Sequence, residues 1–326
     1  MSSADISSKD CKTRDDNMKS ADSRLSPTQE ESKIVDPVTR KPSQASVVRP
    51  SSDAETISLE AEYILSEDLK PLEGDISKIV DNLLPRLDSK DWMCVCEALN
   101  YARQLALFHS ASLHHILNSV ITLTIKAMKN PRSALCKTAI MASSDFFRSY
   151  QDQMLDLLDP LLLQLLLKAS QDKRFVCEEA EKALVTMTSW ISPTLLLLKL
   201  QPCLQHRNPR VRAKASSCVR RSVSKLGTKG IKDFGLETLI RMGASQLNDQ
   251  LPEAREAARQ LIMEIREAHQ QQYQIPSSPS ASSTSSSYSS DAMFTEPEPE
   301  QWEQFCQRQL PPRTALAVLR ATCMAG

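Results

Sequence analysis

Glycine and aromatic residues are scarce in this sequence. Only 6 of the 326 residues are glycine, and Phe, Trp and Tyr together make up 5%. β-Sandwiches, Rossmann domains and TIM barrels depend on Gly-rich turns and on strands rich in aromatic or β-branched side chains, so this composition argues against them. The middle of the chain is instead rich in Leu, Ala, Lys, Arg, Glu and Gln, which favour helices. The composition therefore predicts an all-α protein.

Long apolar runs are also missing. A membrane-spanning helix needs about 20 apolar residues, whereas the longest apolar stretch, Leu161–Leu167, is short and is interrupted by Gln164. Residues 1–20 are polar and charged, unlike a signal peptide. The nine cysteines are odd in number and lie mostly within helical patterns, which indicates reduced thiols. We therefore expect a cytoplasmic protein with no membrane partner.

The sequence also lacks the patterns that carry catalysis or bind metals. Its five histidines are dispersed, and it contains no Gly-rich phosphate loop and no GxSxG elbow. Cys94 and Cys96 lie two residues apart in one helical pattern, where they face different sides, and no second cysteine pair stands at zinc spacing. The prediction is a non-enzymatic binding scaffold with no cofactor, no metal and no small-molecule substrate.

A repeated unit fills the middle of the chain. Five segments share a turn followed by a helix with a small or aliphatic residue four before an alanine. Their alanines are separated by 41, 41, 35 and 43 residues, close to the range of about 40–47 residues for HEAT and armadillo units. The segments are SKDWMCVCEAL, KNPRSALCKTA, SQDKRFVCEEA, HRNPRVRAKAS and DQLPEAREAAR, with the alanines at Ala98, Ala139, Ala180, Ala215 and Ala258.

Each turn lies between two stretches of helical periodicity, which predicts a stack of helical hairpins. The fold class that follows is an α-solenoid of about five to six HEAT-type hairpins. Asn130, Asp172 and Asn208 fit as helix N-caps after these turns. Because helices with the same role in successive hairpins lie side by side, the five intra-repeat turns should line up along one edge.

The boundaries follow from composition. We expect a disordered tail over 1–56, an accessory helix within 57–75 that forms at most a partial sixth repeat, the HEAT-type array over 76–272, and a tail over 273–326. Ten of the fifteen residues in 276–290 are serine, which is typical of a linker. Within the last stretch, Trp302, Phe305 and Leu316–Leu319 are compatible with short helices.

Charge is divided unevenly along a chain whose net charge is zero. Residues 76–272 carry 27 Lys and Arg against 19 Asp and Glu, so the flanks are acidic and the array is basic. Between Glu181 and Asp233 there are eleven cations and no acid. This pattern favours an acidic protein or peptide as the partner. Nucleic acid is the weaker alternative, because Trp190 is the only aromatic ring available for base stacking in that segment.

The turn sequences resemble those of TOG domains, the tubulin-binding HEAT arrays of the CLASP and XMAP215 families. SKDWMCVCEAL is similar to the opening turn of these domains, with its Trp followed by an Ala-Leu helix, and the later turns resemble their NPxVR and DKxxVxxxA forms. The resemblance covers about 76–272. It implies binding of tubulin or microtubules, in the cytoskeleton or the cilium, through the face formed by the intra-repeat turns.

The same resemblance implies roles for individual residues. Trp92 would be the apolar anchor beside Asp91, and cations of the later turns would contact an acidic surface. The family usually has six repeats, whereas five are clear here, and the last turn is rich in acids. The partner-binding residues predicted in this way are Asp91, Trp92, Arg132, Lys173, Arg174, Arg210, Arg212 and Arg255.

Overall fold

The computed structural model describes residues 63–271 and 301–323, and all regular structure in these ranges is helical. The all-α solenoid fold is thereby confirmed. The predictions for residues 1–56 and for the Ser-rich stretch 276–290 lie outside the described residues. The helices are α1 Ile76–Leu87, α2 Trp92–Phe108, α3 Ser110–His114, α4 Leu117–Met128, α5 Ser133–Tyr150, α6 Leu158–Lys168, α7 Arg174–Trp190, α8 Pro193–Leu200, α9 Pro209–Phe234, α10 Leu236–Gln246, α11 Pro252–Gln270, α12 Trp302–Gln309 and α13 Pro312–Cys323, with 3-10 turns at Ser66–Asp68, Gln151–Leu157 and Gln201–Gln205.

Five hairpins form the array, and their second helices stack on one another. The pairs are α1–α2, α4–α5, α6–α7, α8–α9 and α10–α11, and the series α2, α5, α7, α9 and α11 is in contact from one member to the next. The five repeated alanines of these second helices are at most 2% exposed. A methyl side chain at that position lets adjacent helices approach closely, so the hairpins share one continuous apolar core.

The starts of the second helices show which residues end each turn. The side chains of Asp91 and Asn208 cap α2 and α9 by accepting hydrogen bonds from backbone N–H groups two residues later. The predicted caps at Asn130 and Asp172 are wrong, because Arg132 and Lys173 occupy the N-cap positions of α5 and α7. In these two turns the chain runs one or two residues further before it becomes helical.

An internal ion pair fastens the segment before α1. Arg103 and Asp145 are fully buried, and the Arg103 Nε to Asp145 Oδ2 distance is 2.6 Å. Arg103 Nη1 also donates to the Ile64 carbonyl at 2.8 Å, and the Ser66 hydroxyl donates to Asp145 Oδ1 at 2.7 Å. Residues 63–69 therefore lie across α2 and α5 with only a short 3-10 turn, in place of the regular helix expected there.

Two helices within the expected C-terminal tail extend the array. α12 and α13 pack on α10 and α11, and Phe305 and Val318 are buried in the contact. The rings of Trp302 and Phe305 are stacked at 5.6 Å, and both lie beside the ring of His269 from α11. This pair covers the apolar end that the fifth hairpin would otherwise expose.

Candidate functional site

The five intra-repeat turns, at 88–91, 129–132, 169–173, 206–208 and 247–251, lie next to one another, and we refer to them together as the turn rim. Side-chain contacts connect every turn, or the first residues of the helix that follows it, to the next one along the array. The linking pairs are Arg132 with the ring of Trp92, Lys173 with Ser133, Arg210 with Asp172, and Arg212 with Asp249. The rim therefore runs along one edge of the array and brings together all eight residues that the sequence predicted as partner-binding.

At the first turn, Trp92 is half-buried and packs against the core. The Arg132 guanidinium carbon lies 5.2 Å from the centroid of its ring, within cation–π range. Asp91 Oδ1 accepts from the Met93 N–H at 3.0 Å, and this cap fixes the start of the helix that carries Trp92. At the first turn, the guanidinium group of Arg132 thus lies over the ring of Trp92, and the carboxylate of Asp91 caps the helix that carries this ring.

The second and third turns expose cations that have few internal partners. Lys129, Arg132 and Lys173 are exposed, and within the described residues none of them forms an ion pair with a carboxylate. Lys173 Nζ donates only to the Ser133 hydroxyl, at 3.4 Å. Arg174 pairs with Glu178 on its own helix, but its side chain is 91% exposed. These four cations are available to an external partner.

At the fourth and fifth turns, three of the four arginines in the turns and the first residues of the helices after them use their guanidinium groups internally. The other, Arg207, is exposed and forms no ion pair within the described residues. Arg210 Nη1 donates to Asp172 Oδ1 at 2.6 Å and to the Ser170 carbonyl at 3.2 Å. Arg212 Nε donates at 2.6 Å to Asp249, whose side chain is 3% exposed, and Arg212 Nη1 donates to the His206 carbonyl. Arg255 Nη1 donates to the Asp249 carbonyl at 2.8 Å. Arg212 and Arg255 hold the turns in shape, whereas Arg210 forms a half-exposed pair between the third and fourth turns.

About half of the cations in the basic segment 182–232 are engaged within the array. Four of its cations pair with acids that lie 37–40 residues away in the chain, on an adjacent hairpin. Two more are engaged locally: Lys182 pairs with Glu179, and Lys225 donates to backbone carbonyls at the end of α7. The four inter-repeat pairs are Lys199–Asp159, Arg210–Asp172, Arg212–Asp249 and Lys214–Glu253.

Residues 63–271 and 301–323 offer little for metal chemistry. They hold no group of three or more His, Cys, Asp or Glu side chains arranged to bind a metal ion. Their cysteines are free thiols, in agreement with the expectation from the sequence. Burial raises the pKa of the Cys218 and Cys306 thiols to about 12, which keeps both neutral at physiological pH.

None of the helices in the described parts of the chain has the length and hydropathy needed to cross a membrane.

The chain matches a known protein family. The CLASP N-terminal family matches residues 106–278, just over half of the chain. The human TOG array regulator of axonemal microtubules protein 1 is 32% identical over 114 residues, which are 35% of this chain and 7% of that protein. The mouse protein of the same name is 28% identical over 161 residues, 49% of this chain and 9% of its own length. This chain therefore spans less than a tenth of these curated relatives.

Among solved structures, the N-terminal domain of MAST/Orbit has the same fold, with a TM-score of 0.51 and 13% sequence identity, over 78% of this chain and 99% of that domain. The prediction of a TOG-domain family is thus confirmed by a family match over residues 106–278, which includes the later four turns and begins after the first turn. The chain belongs to the CLASP N-terminal family of TOG-domain proteins.

Proposed function

We propose that this chain is a non-enzymatic scaffold that binds tubulin or microtubules through its turn rim. The observation that carries the proposal is the group of exposed cations in the second and third turns beside the half-buried Trp92. Membership of the CLASP N-terminal family and the microtubule regulators among its relatives support tubulin as the acidic partner. Exposed cations of this kind accelerate association with an acidic surface and set its orientation.

The eight predicted residues take different parts in this proposal. Trp92 is the apolar anchor, and Arg132, Lys173 and Arg174 contact the partner directly. Asp91 shapes the first turn, since its carboxylate is occupied as a helix cap. Arg210 contributes from a half-exposed ion pair, whereas Arg212 and Arg255 act by holding the fourth and fifth turns.

The proposed place of action is the cytoplasm, at the cytoskeleton or in the cilium. The support is the name of the human and mouse relatives, which are regulators of axonemal microtubules. An adaptor for another acidic protein would use the same rim. Nucleic acid binding has less support, because six of the eleven cations between Glu181 and Asp233 are engaged within the array.

Co-sedimentation of the full chain with free tubulin and with microtubules tests the proposal. Trp92→Ala should weaken binding about tenfold or more, because a tryptophan buried in an interface often carries much of the binding energy. Trp190→Ala is the matched control: Trp190 is 45% exposed and ends α7, whose other end, at Arg174, lies on the rim. A 17-residue helix spans about 25 Å, so this ring lies far from the rim.

Thermal unfolding of both variants separates loss of contact from loss of fold. The proposal is contradicted if Trp92→Ala remains folded and binds both tubulin and microtubules as the wild type does.

A further inference from the structure

A polar cavity of about 250 Å³ lies between the second and third turns. Three lysines line it, and three uncharged polar side chains complete its hydrogen-bonding groups, whereas no Asp or Glu of the described residues lines it. These six residues are Lys129, Lys168, Lys173, Asn130, Ser133 and Gln171. We call this cavity the lysine pocket.

Lys168 is the unusual member of the lysine pocket. It is only 8% exposed, and within the described residues no carboxylate lies within ion-pair distance of its ammonium group. Its neighbour is the Cys136 thiol, whose pKa burial raises and the nearby Lys168 ammonium partly lowers. Lys168 lies in the last turn of α6, where the helix dipole favours a cation. That effect is small, and a lysine side chain buried to this extent is normally paired with an acid.

The next cavity along the rim shows what such pairing looks like in this fold. It has a volume of about 490 Å³ and lies among the third, fourth and fifth turns. There Lys214, with a side chain 19% exposed, is 2.8 Å from Glu181 and 3.0 Å from Glu253. The array therefore provides two carboxylates for its partly buried lysine in one cavity and none for its more deeply buried lysine in the other.

We infer that the lysine pocket binds a carboxylate side chain, Glu or Asp, from an acidic segment of the partner that lies on the turn rim. The inference rests on the proposed function, because it places the missing acid on that partner. Lys129 and Lys173 stand in the two turns themselves, so a segment on the rim reaches them first and extends its carboxylate towards Lys168. Three rotatable ammonium groups, two side-chain amides and a hydroxyl supply donors for both carboxylate oxygens.

Replacement of Lys168 by methionine should raise the melting temperature and lower the affinity for an acidic peptide. Lys168→Met removes a buried charge and keeps an unbranched side chain of similar length, so the melting temperature of the unliganded chain should rise by about 2 °C or more. The affinity for a hexaglutamate peptide, measured by calorimetry on the full chain, should fall about fivefold or more. A residue that merely supports the fold would lower the melting temperature on replacement.

Matched controls define the specificity of these signals. Lys214→Met should lower the melting temperature, because Glu181 and Glu253 lose their shared cation. Lys229→Met removes an exposed charge on α9 and should change neither the melting temperature nor the hexaglutamate affinity. A hexaglutamine peptide should not bind, and inorganic phosphate should compete with hexaglutamate only weakly.

The inference is overturned if Lys168→Met destabilises the chain, if hexaglutamate affinity is unchanged in that variant, or if phosphate displaces the peptide at equal concentration. The last result would assign the pocket to a phosphoryl group. Tubulin binding is measured separately on the same variants. A chain that binds hexaglutamate through Lys168 but binds no tubulin would overturn the proposed partner and leave the carboxylate site standing.

Discussion

The first three turns and the last two turns of the rim carry similar numbers of cations but use them differently. In the second and third turns, Lys129, Arg132 and Lys173 have no carboxylate partner among the described residues. In the fourth turn, Arg210 and Arg212 both form ion pairs across to a neighbouring turn. The first half of the rim thus offers its charge to a partner, whereas the second half, apart from the exposed Arg207, uses its charge internally.

Cations at corresponding positions of different turns therefore have different roles. A guanidinium group whose partner is a buried carboxylate contributes to stability, and its removal leaves an unpaired charge. A cation without such a partner contributes little to folding and remains available for association. Mutations in the last two turns should therefore affect mainly stability, and mutations in the second and third turns mainly binding of the partner.

The largest expected effect is on stability, in the fourth turn. Arg212→Met should lower the free energy of unfolding by about 3 kcal/mol, because it leaves the carboxylate of Asp249 buried without a cation. Chemical denaturation followed by circular dichroism measures the change. Arg132→Met is the control, since it makes the same substitution at an exposed rim arginine with no carboxylate partner. Equal losses in the two variants would contradict the separation of the halves.

The hairpin architecture could be predicted from the sequence because its signals are local. The alanine spacing, the helical periodicity and the cap at Asn208 each depend on residues within a few turns of one another. The family resemblance of the first turn, around Trp92, also lies within one short segment.

The roles of individual cations could not be predicted in the same way. Arg212 and Asp249 are 37 residues apart, and Arg103 and Asp145 are 42 apart, so these pairs exist only once the hairpins stack in register. The run without acids between Glu181 and Asp233 looked like a continuous basic patch for this reason. Asp172 was predicted to be a helix cap, but its carboxylate is used by Arg210 from the next hairpin.

A charge reversal in the third turn should act on binding. Lys173→Glu should weaken association with tubulin about tenfold and make the affinity less dependent on salt concentration. The substitution replaces an available positive charge by a negative charge, which an acidic surface repels. Lys229→Glu makes the same charge change on α9, away from the rim, and should leave the affinity within about twofold. Both variants should unfold at the wild-type temperature. Equal weakening by the two reversals would indicate a long-range charge effect instead of a contact.

A smaller effect, of opposite sign, is expected where the two halves of the rim meet. Asp172→Asn should release Arg210 from its ion pair and raise the affinity for tubulin about threefold, because Arg210 then becomes a second available cation beside Arg207. Stability should change by less than about 0.5 kcal/mol, because the Asp172 side chain is 90% exposed and surface pairs contribute little. Surface plasmon resonance measures the association rate, in which most of the gain should appear. A fall in affinity would mean that Asp172 itself contacts the partner.

The smallest effect concerns the cation–π contact between Arg132, one of the available cations, and Trp92. Arg132 lies over the ring of Trp92, and a cation–π contact at an exposed site contributes about 0.5–1 kcal/mol. Arg132→Gln should therefore lower the free energy of unfolding by about 0.5 kcal/mol, well below the loss for Arg212→Met. The same change in a Trp92→Leu background should have no effect, because the ring is gone, and this double-mutant cycle isolates the contact. A loss that persists without the ring would place the contribution of Arg132 elsewhere and would make the second turn structural, like the fourth.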